Sequence, residues 1–180
     1  MKIKTSRQGR RMGGEARRIL VPVDFSEPSA RALRHAAKRA AETAGSLIVV
    51  HVVPANYGWL RIGRDESRDL DRSLQRQAAN RLRAFADEHL GGVPADMEVR
   101  VGQPAEEIVT AARESKCDSI MLSTRGLTGL DRYLIGSVAD RVARLAPCPV
   151  VLVRPGKRGP RRKHEGPTVL RFKHPSNPST

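Results

Sequence analysis

The feature that most constrains this 180-residue chain is a regular alternation of short apolar runs with longer amphipathic stretches. Leu47 to Val53 is apolar at every position but His51, with little alternation, as expected of a strand covered on both faces. Pro54 ends it. Ile19 to Val23 is a similar run, broken by Asp24-Phe25-Ser26 and followed by Pro28, which a first helical turn tolerates. Ala30, Leu33, Ala36, Ala37, Ala40, Ala41 and Ala44 then recur at helical spacing, with Gly45 expected as the left-handed C-terminal cap. Leu70, Leu74, Ala78, Leu82, Phe85 and Ala86 mark a second helix, stopped at Gly91-Gly92. Met97, Val99 and Val101 alternate as a third strand, and Gly102-Gln103-Pro104 opens a third helix whose first turn holds Glu106 and Glu107. Asp118 to Leu122 reads as a fourth strand, Ser137 to Leu145 as a fourth helix and Val150 to Val153 as a fifth strand.

This order predicts an α/β fold: a doubly wound, five-stranded parallel sheet with helices on both faces. Ligands of such sheets bind at the carboxyl ends of the strands, where strand order reverses. The segments after the first, second and fourth strands are therefore the ones expected to carry function.

The formal charge of +14 is concentrated at the two ends of the chain. Residues 1–18 hold seven Lys and Arg against Glu15, and residues 154–180 hold eight against Glu165, which leaves residues 19–153 at +1. The expected organisation is a basic arm (residues 1–16), one globular domain (17–154) and a basic tail rich in Pro and Gly (155–180). The two arms combine high charge with few apolar residues and are expected to stay disordered, with no strand assigned to Val169, Leu170 and Phe172. No apolar run approaches the roughly 20 residues of a membrane helix, and no secretory signal pattern follows the basic start, so a cytoplasmic protein without membrane contact is expected. Cys117 and Cys148 are too few for a disulfide framework, lack metal-ligand spacing, and read as small buried thiols.

After the fourth strand comes Ser123-Thr124-Arg125-Gly126-Leu127-Thr128-Gly129, and Gly136-Ser137 opens the fourth helix. Glycines let backbone N–H groups approach an anion, Ser137 can cap and donate, and a helix N-terminus carries partial positive charge, so the layout suits phosphate. A plain loop and helix cap explains the same pattern. Neither a G-x-x-x-x-G-K-[ST] nor a G-x-G-x-x-G motif is present. Asp24 can accept hydrogen bonds from ribose hydroxyls or hold a metal through water, and it can equally cap the following helix with Ser26. Arg125 can pair with phosphate oxygens or lie solvated in its loop. His51 reads as a packed core residue, and Tyr57 and Trp59 as a satellite contact or a cover over a base.

Across residues 17–154 the chain resembles the universal stress protein family. Arg18 to Ser26 is similar to that family's opening strand and turn, Val50-His51-Val52-Val53 to its second strand, and Ala146 to Val153 to its closing segment. The nucleotide-binding branch carries G-x2-G-x9-G-[ST]; here Gly126 and Gly136-Ser137 match its last elements, and Ser123 stands in place of the first glycine. The resemblance implies a Rossmann-like fold of the adenine-nucleotide alpha hydrolase type, with strand order 3-2-1-4-5. It implies bound ATP with accompanying Mg2+: Asp24 by the ribose, Pro22 and Val23 along the adenine, and the Val52 backbone at the base. Ser123, Arg125 and Gly126, with Gly136, Ser137 and Val138, would hold the phosphates. It also implies a homodimer through the Val150–Val153 strand, expected at a sheet edge, and a stress-response regulatory module acting through protein partners.

No paired carboxylates, activated nucleophile or metal cluster accompanies the predicted phosphates, so no catalytic residue is assigned and any ATPase activity is expected to be slow. Two other functions fit the same sequence: a family member that binds no nucleotide and works through partners, and nonspecific binding of nucleic acid through the basic tails. With only 3% aromatic residues, base stacking by the tails is not expected.

Overall fold

A computed structural model describes residues 2–3, 17–55, 64–124, 136–154 and 168–169, with side chains for all of these except 2–3, 64–71 and 168–169. The strands are β1 (Lys2–Ile3), β2 (Arg18–Pro22), β3 (Ser46–Pro54), β4 (Ala95–Gly102), β5 (Ser119–Ser123), β6 (Val150–Val153) and β7 (Thr168–Val169). The helices are α1 (Glu27–Thr43), α2 (Arg64–His89), α3 (Pro104–Ser115) and α4 (Ser137–Leu145). Among the described residues no helix is long and apolar enough to cross a membrane.

Five strands pair in parallel in the order β4-β3-β2-β5-β6, which is the 3-2-1-4-5 order that the resemblance implies. Side chains of successive strand residues point to opposite faces, so each strand feeds two cores. Ile19, Val21, Leu47, Val49, Met97 and Val99 pack with α1 and α2, whereas Leu20, Ile48, Val50, Ile120, Leu122 and Leu152 pack with α3 and α4. Double coverage explains why β3 reads as a continuous apolar run.

The two outermost strands were not legible in the sequence. Lys2–Ile3 pairs antiparallel with β4, and Thr168–Val169 pairs antiparallel with β6. The sequence reading places no strand in either arm and puts Val150–Val153 at the sheet edge; in the structure β7 lies beyond β6. A two-residue β pairing needs only an exposed row of N–H and C=O groups, which an edge strand supplies whatever the composition of its partner.

Gly45 also differs from its expected role. The left-handed residue that ends α1 is Ala44 (φ 49°), and Gly45 follows it where a Cβ would stand 2.5 Å from the Arg17 carbonyl oxygen. Close approach of two backbones, and not helix capping, requires glycine there. Gly91 and Gly92 follow the end of α2 as expected, and both take positive φ.

Candidate functional site

Strand order reverses between β2 and β5, since the chain leaves β2 toward β3 on one side and reaches β5 on the other. The crevice beyond the carboxyl ends of β3, β2 and β5 is thus the ligand position that this topology offers. Pro22, Val23 and Asp24 lie at the end of β2, Val52 near the end of β3, and Ser123 at the end of β5. Val23 N–H donates to the Val50 carbonyl at 2.8 Å, which ties the two strand ends together. Gly136 is joined to the same end, because its N–H donates to the Thr124 carbonyl at 2.9 Å. That bond pins both ends of the segment between them, so that α4 starts beside β5. Arg125 and Gly126 fall outside the described residues, as do Tyr57 and Trp59.

The turn after β2 is built by its own side chains. Asp24 Oδ1 accepts from Ser26 N–H at 3.0 Å and from the Ser26 hydroxyl, and Ser26 Oγ in turn accepts from Ser29 N–H at 3.3 Å. One Asp24 oxygen is therefore committed to the turn and Ser26 is the N-cap of α1. Phe25 between them takes φ 64°, a left-handed conformation uncommon for a bulky residue. Its ring is held on three sides: His51 at 4.2 Å between centroids, Phe85 edge-on at 5.5 Å, and the Arg81 guanidinium 4.3 Å above it. The packing offsets the backbone strain.

His51 locks the same turn from the sheet. Its Nδ1 lies 2.8 Å from the Val23 carbonyl, which can only accept, so Nδ1 carries a hydrogen and donates. Burial holds this imidazole below the usual histidine range, opposed by the Val23 bond, lowered further by Arg81 and raised by Asp24. His51 is thus the packed residue expected from its strand, and also a strut for the Val23-Asp24 backbone. The Phe25, Arg81 and Phe85 contacts were not foreseen, since residues from a turn and from α2 meet only once the sheet has formed.

The start of α4 is different. Its N-cap is Gly136 (φ −59°, ψ 147°), which makes no side-chain cap bond, and the first helical hydrogen bond runs from Asp140 N–H to the Gly136 carbonyl at 2.9 Å. The N–H groups of Ser137, Val138 and Ala139 precede that bond and have no carbonyl four residues back within the helix. Three aligned donors and the positive end of the helix dipole give this terminus the chemistry to receive an anion. A Cβ on Gly136 would meet the Thr124 carbonyl oxygen at 3.5 Å, an ordinary contact, so the glycine is not demanded by packing. Ser137 and Val138 are exposed at this position. Among the described residues no group of three or more His, Cys, Asp or Glu is arranged to hold a metal ion.

Comparison with known proteins assigns this architecture. A family model described as the universal stress protein family matches residues 15–154. The chain belongs to the universal stress protein family. It is 35% identical over 150 residues to Universal stress protein MJ0531 of Methanocaldococcus jannaschii, covering 79% of this chain and 84% of that protein. The solved structure of MJ0577 from the same organism superposes with a TM-score of 0.69 at 29% identity, covering 78% of this chain and 97% of that one. A universal stress protein solved in complex with cAMP superposes with a TM-score of 0.51 at 25% identity, covering 77% of this chain and 97% of that one. The family sheet is thus the five-stranded parallel core seen here, and a nucleotide has been found on one of its members.

Proposed function

We propose that this universal stress protein binds ATP across the carboxyl ends of β2, β3 and β5, and acts as a stress-response regulatory module through that bound state, with at most slow hydrolysis. The observation that carries the reading is the N-terminus of α4, where the cap residue Gly136 makes no side-chain hydrogen bond, beside β5 at the reversal of strand order. The cAMP complex of a family member supports it. In this reading Asp24 meets the ribose, Pro22, Val23 and Val52 border the adenine, and Ser123, Arg125 and Gly126 join Gly136, Ser137 and Val138 around the phosphates. Ser123 brings a hydroxyl to a position where the family's nucleotide-binding branch has glycine. Mg2+ would arrive on the triphosphate, since divalent magnesium keeps much of its water and is commonly held by substrate phosphates.

The test is a calorimetric titration of Mg-ATP into the full chain in 150 mM salt or more, with inorganic triphosphate as a parallel titrant to measure what the basic arms take up. Saturable one-site binding by ATP that triphosphate does not reproduce supports the reading. A folded protein that shows no saturable site for ATP favours a module working through protein partners alone.

The basic ends favour one separate reading, nonspecific affinity for nucleic acid by counterion release. Affinity for duplex DNA should then fall steeply with salt and collapse when residues 155–180 are removed. Self-association through Val150–Val153 is also proposed, and since β7 pairs with that strand a second copy must displace it. Sedimentation should accordingly show stronger association of the chain lacking residues 155–180 than of the full chain.

A further inference from the structure

At the opposite end of the sheet from the crevice, two thiols meet. Cys117 immediately precedes the residues leading into β5 and Cys148 those leading into β6, and their Sγ atoms stand 3.5 Å apart. They are 31 residues apart in the chain, and only the pairing of β5 with β6 brings them together. Cys117 is buried within the core that packs on α3 and α4, and the half-buried Cys148 packs against that core. The backbone around them is held on each side: Cys117 N–H donates to the Ala112 carbonyl at 3.2 Å, and Ile120 N–H to the Pro149 carbonyl at 3.0 Å. Arg18 N–H donates to Asp118 at 2.6 Å, and its guanidinium to the Ser115 carbonyl at 2.6 Å, which fixes the start of β2 to the same corner.

We propose that Cys117 and Cys148 are a reversible dithiol/disulfide pair, closed by peroxide and reopened by a small dithiol. The Cys117 thiolate attacks one oxygen of hydrogen peroxide, forming the sulfenic acid and releasing hydroxide, which leaves as water with the thiol's proton. The Cys148 sulfur then attacks the sulfenic sulfur, the S–S bond forms, and the sulfenic oxygen leaves as a second water with the Cys148 proton. Two thiols are oxidised, one peroxide is reduced to two waters, and a dithiol reverses the change by exchange. The order of the steps follows the local chemistry. Hydrogen bonds from the Cys148 side chain and then the Ser115 side chain favour the Cys117 thiolate against its burial, whereas Cys117 and burial both hold the Cys148 thiol up. Asp118, the neighbouring carboxylate, disfavours thiolate at both. The half-buried Cys148 opens the pair to a molecule the size of peroxide. A closed pair would tie the segment that holds Ser123 and the start of α4 into one covalent loop.

Treating the reduced full chain with hydrogen peroxide and measuring intact mass tests this without any variant. The expected product is monomeric, lighter by about 2 Da, with a Cys117–Cys148 peptide link, and it returns to the starting mass with dithiothreitol. Its Tm should rise by roughly 5–10 °C, because the link closes a loop of about 30 residues in the unfolded chain. In C148S the same treatment should leave a dimedone-reactive sulfenic acid on Cys117. Unreacted thiols, stepwise oxygen addition on either cysteine without a link, or a link between two chains would each overturn the proposal.

Discussion

The N-termini of α1 and α4 stand beyond neighbouring parallel strands, β2 and β5, and they treat their exposed donors in opposite ways. At α1, Ser26 caps the helix, Pro28 has no N–H to satisfy, and Asp24 and Phe25 fold the preceding turn onto the helix and the sheet. At α4 a glycine occupies the cap, and three N–H groups follow it with nothing from that residue to meet them. One terminus is capped by its own side chains, and the other has a cap residue with no side chain to offer. Since Gly136 has ordinary cap dihedrals and room for a Cβ, a capping side chain there would stabilise the helix. Packing therefore does not account for the glycine.

The largest effect should come from making α4 resemble α1. Gly136→Asp places a carboxylate on the α4 donors and a negative charge where the phosphates would lie. Calorimetric titration should show ATP affinity reduced at least ~100-fold, the equivalent of about 3 kcal/mol, which is the scale of charge-assisted hydrogen bonds lost and a like charge gained. Asp24→Ala acts on the α1 side, where one carboxylate serves both the turn and the proposed ribose contact. It should cost roughly 1–2 kcal/mol of stability in urea unfolding and weaken ATP by about 10-fold. Ser26→Ala separates these two roles. It removes the cap and should lower stability by about 1 kcal/mol, with ATP affinity unchanged within about 2-fold.

The smallest effect is one of pH, and it too is confined to the α1 side. Burial disfavours the protonated form of His51 in the native state, so as pH falls through about 6.5 the unfolded chain takes up protons before the native ring does. Stability from this group is fully present above pH 6.5 and is lost as pH falls toward the lowered native value. His35 on α1 contributes in the same direction, through burial and then through Arg31, Lys38 and Arg34. Thermal melts between pH 7.5 and 5.5 should therefore show Tm falling with pH, and His51→Gln, which can still donate to the Val23 carbonyl, should make the decline shallower. An identical slope in the variant would remove His51 from the account of the turn.

Much of this contrast was written in local pattern. Apolar runs, Pro28, Pro104 and the two glycines after α2 placed the core elements, and alternation of strands with helices gave their order. Gly136-Ser137 was legible as a helix start, but the cap expected of Ser137 falls to Gly136, and Ser137 is the first residue of the helix. What the sequence concealed were contacts made across the finished sheet. Phe25 meets Arg81 and Phe85 from a turn more than 50 residues away in sequence, and Cys117 meets Cys148 only through the register of β5 with β6. The added strands β1 and β7 lie in segments whose charge and Pro/Gly content argue against any structure, because edge pairing draws on backbone groups that composition does not report. Ser26 and Asp24 were the ambiguous case. The cap was foreseen, and the structure shows the same residues committed to it at the mouth of the crevice.

The measurement that bears most directly on the α4 terminus is a set of four melts, wild type and Gly136→Asp, each with and without saturating Mg-ATP. A carboxylate at the cap position should raise the Tm of the free variant by a few degrees, an expected gain of about 0.5–1 kcal/mol. Nucleotide should raise the Tm of the wild type and leave that of the variant unmoved. A variant less stable than the wild type, or one that ATP stabilises equally, would contradict the proposal that the α4 N-terminus receives the nucleotide's phosphates.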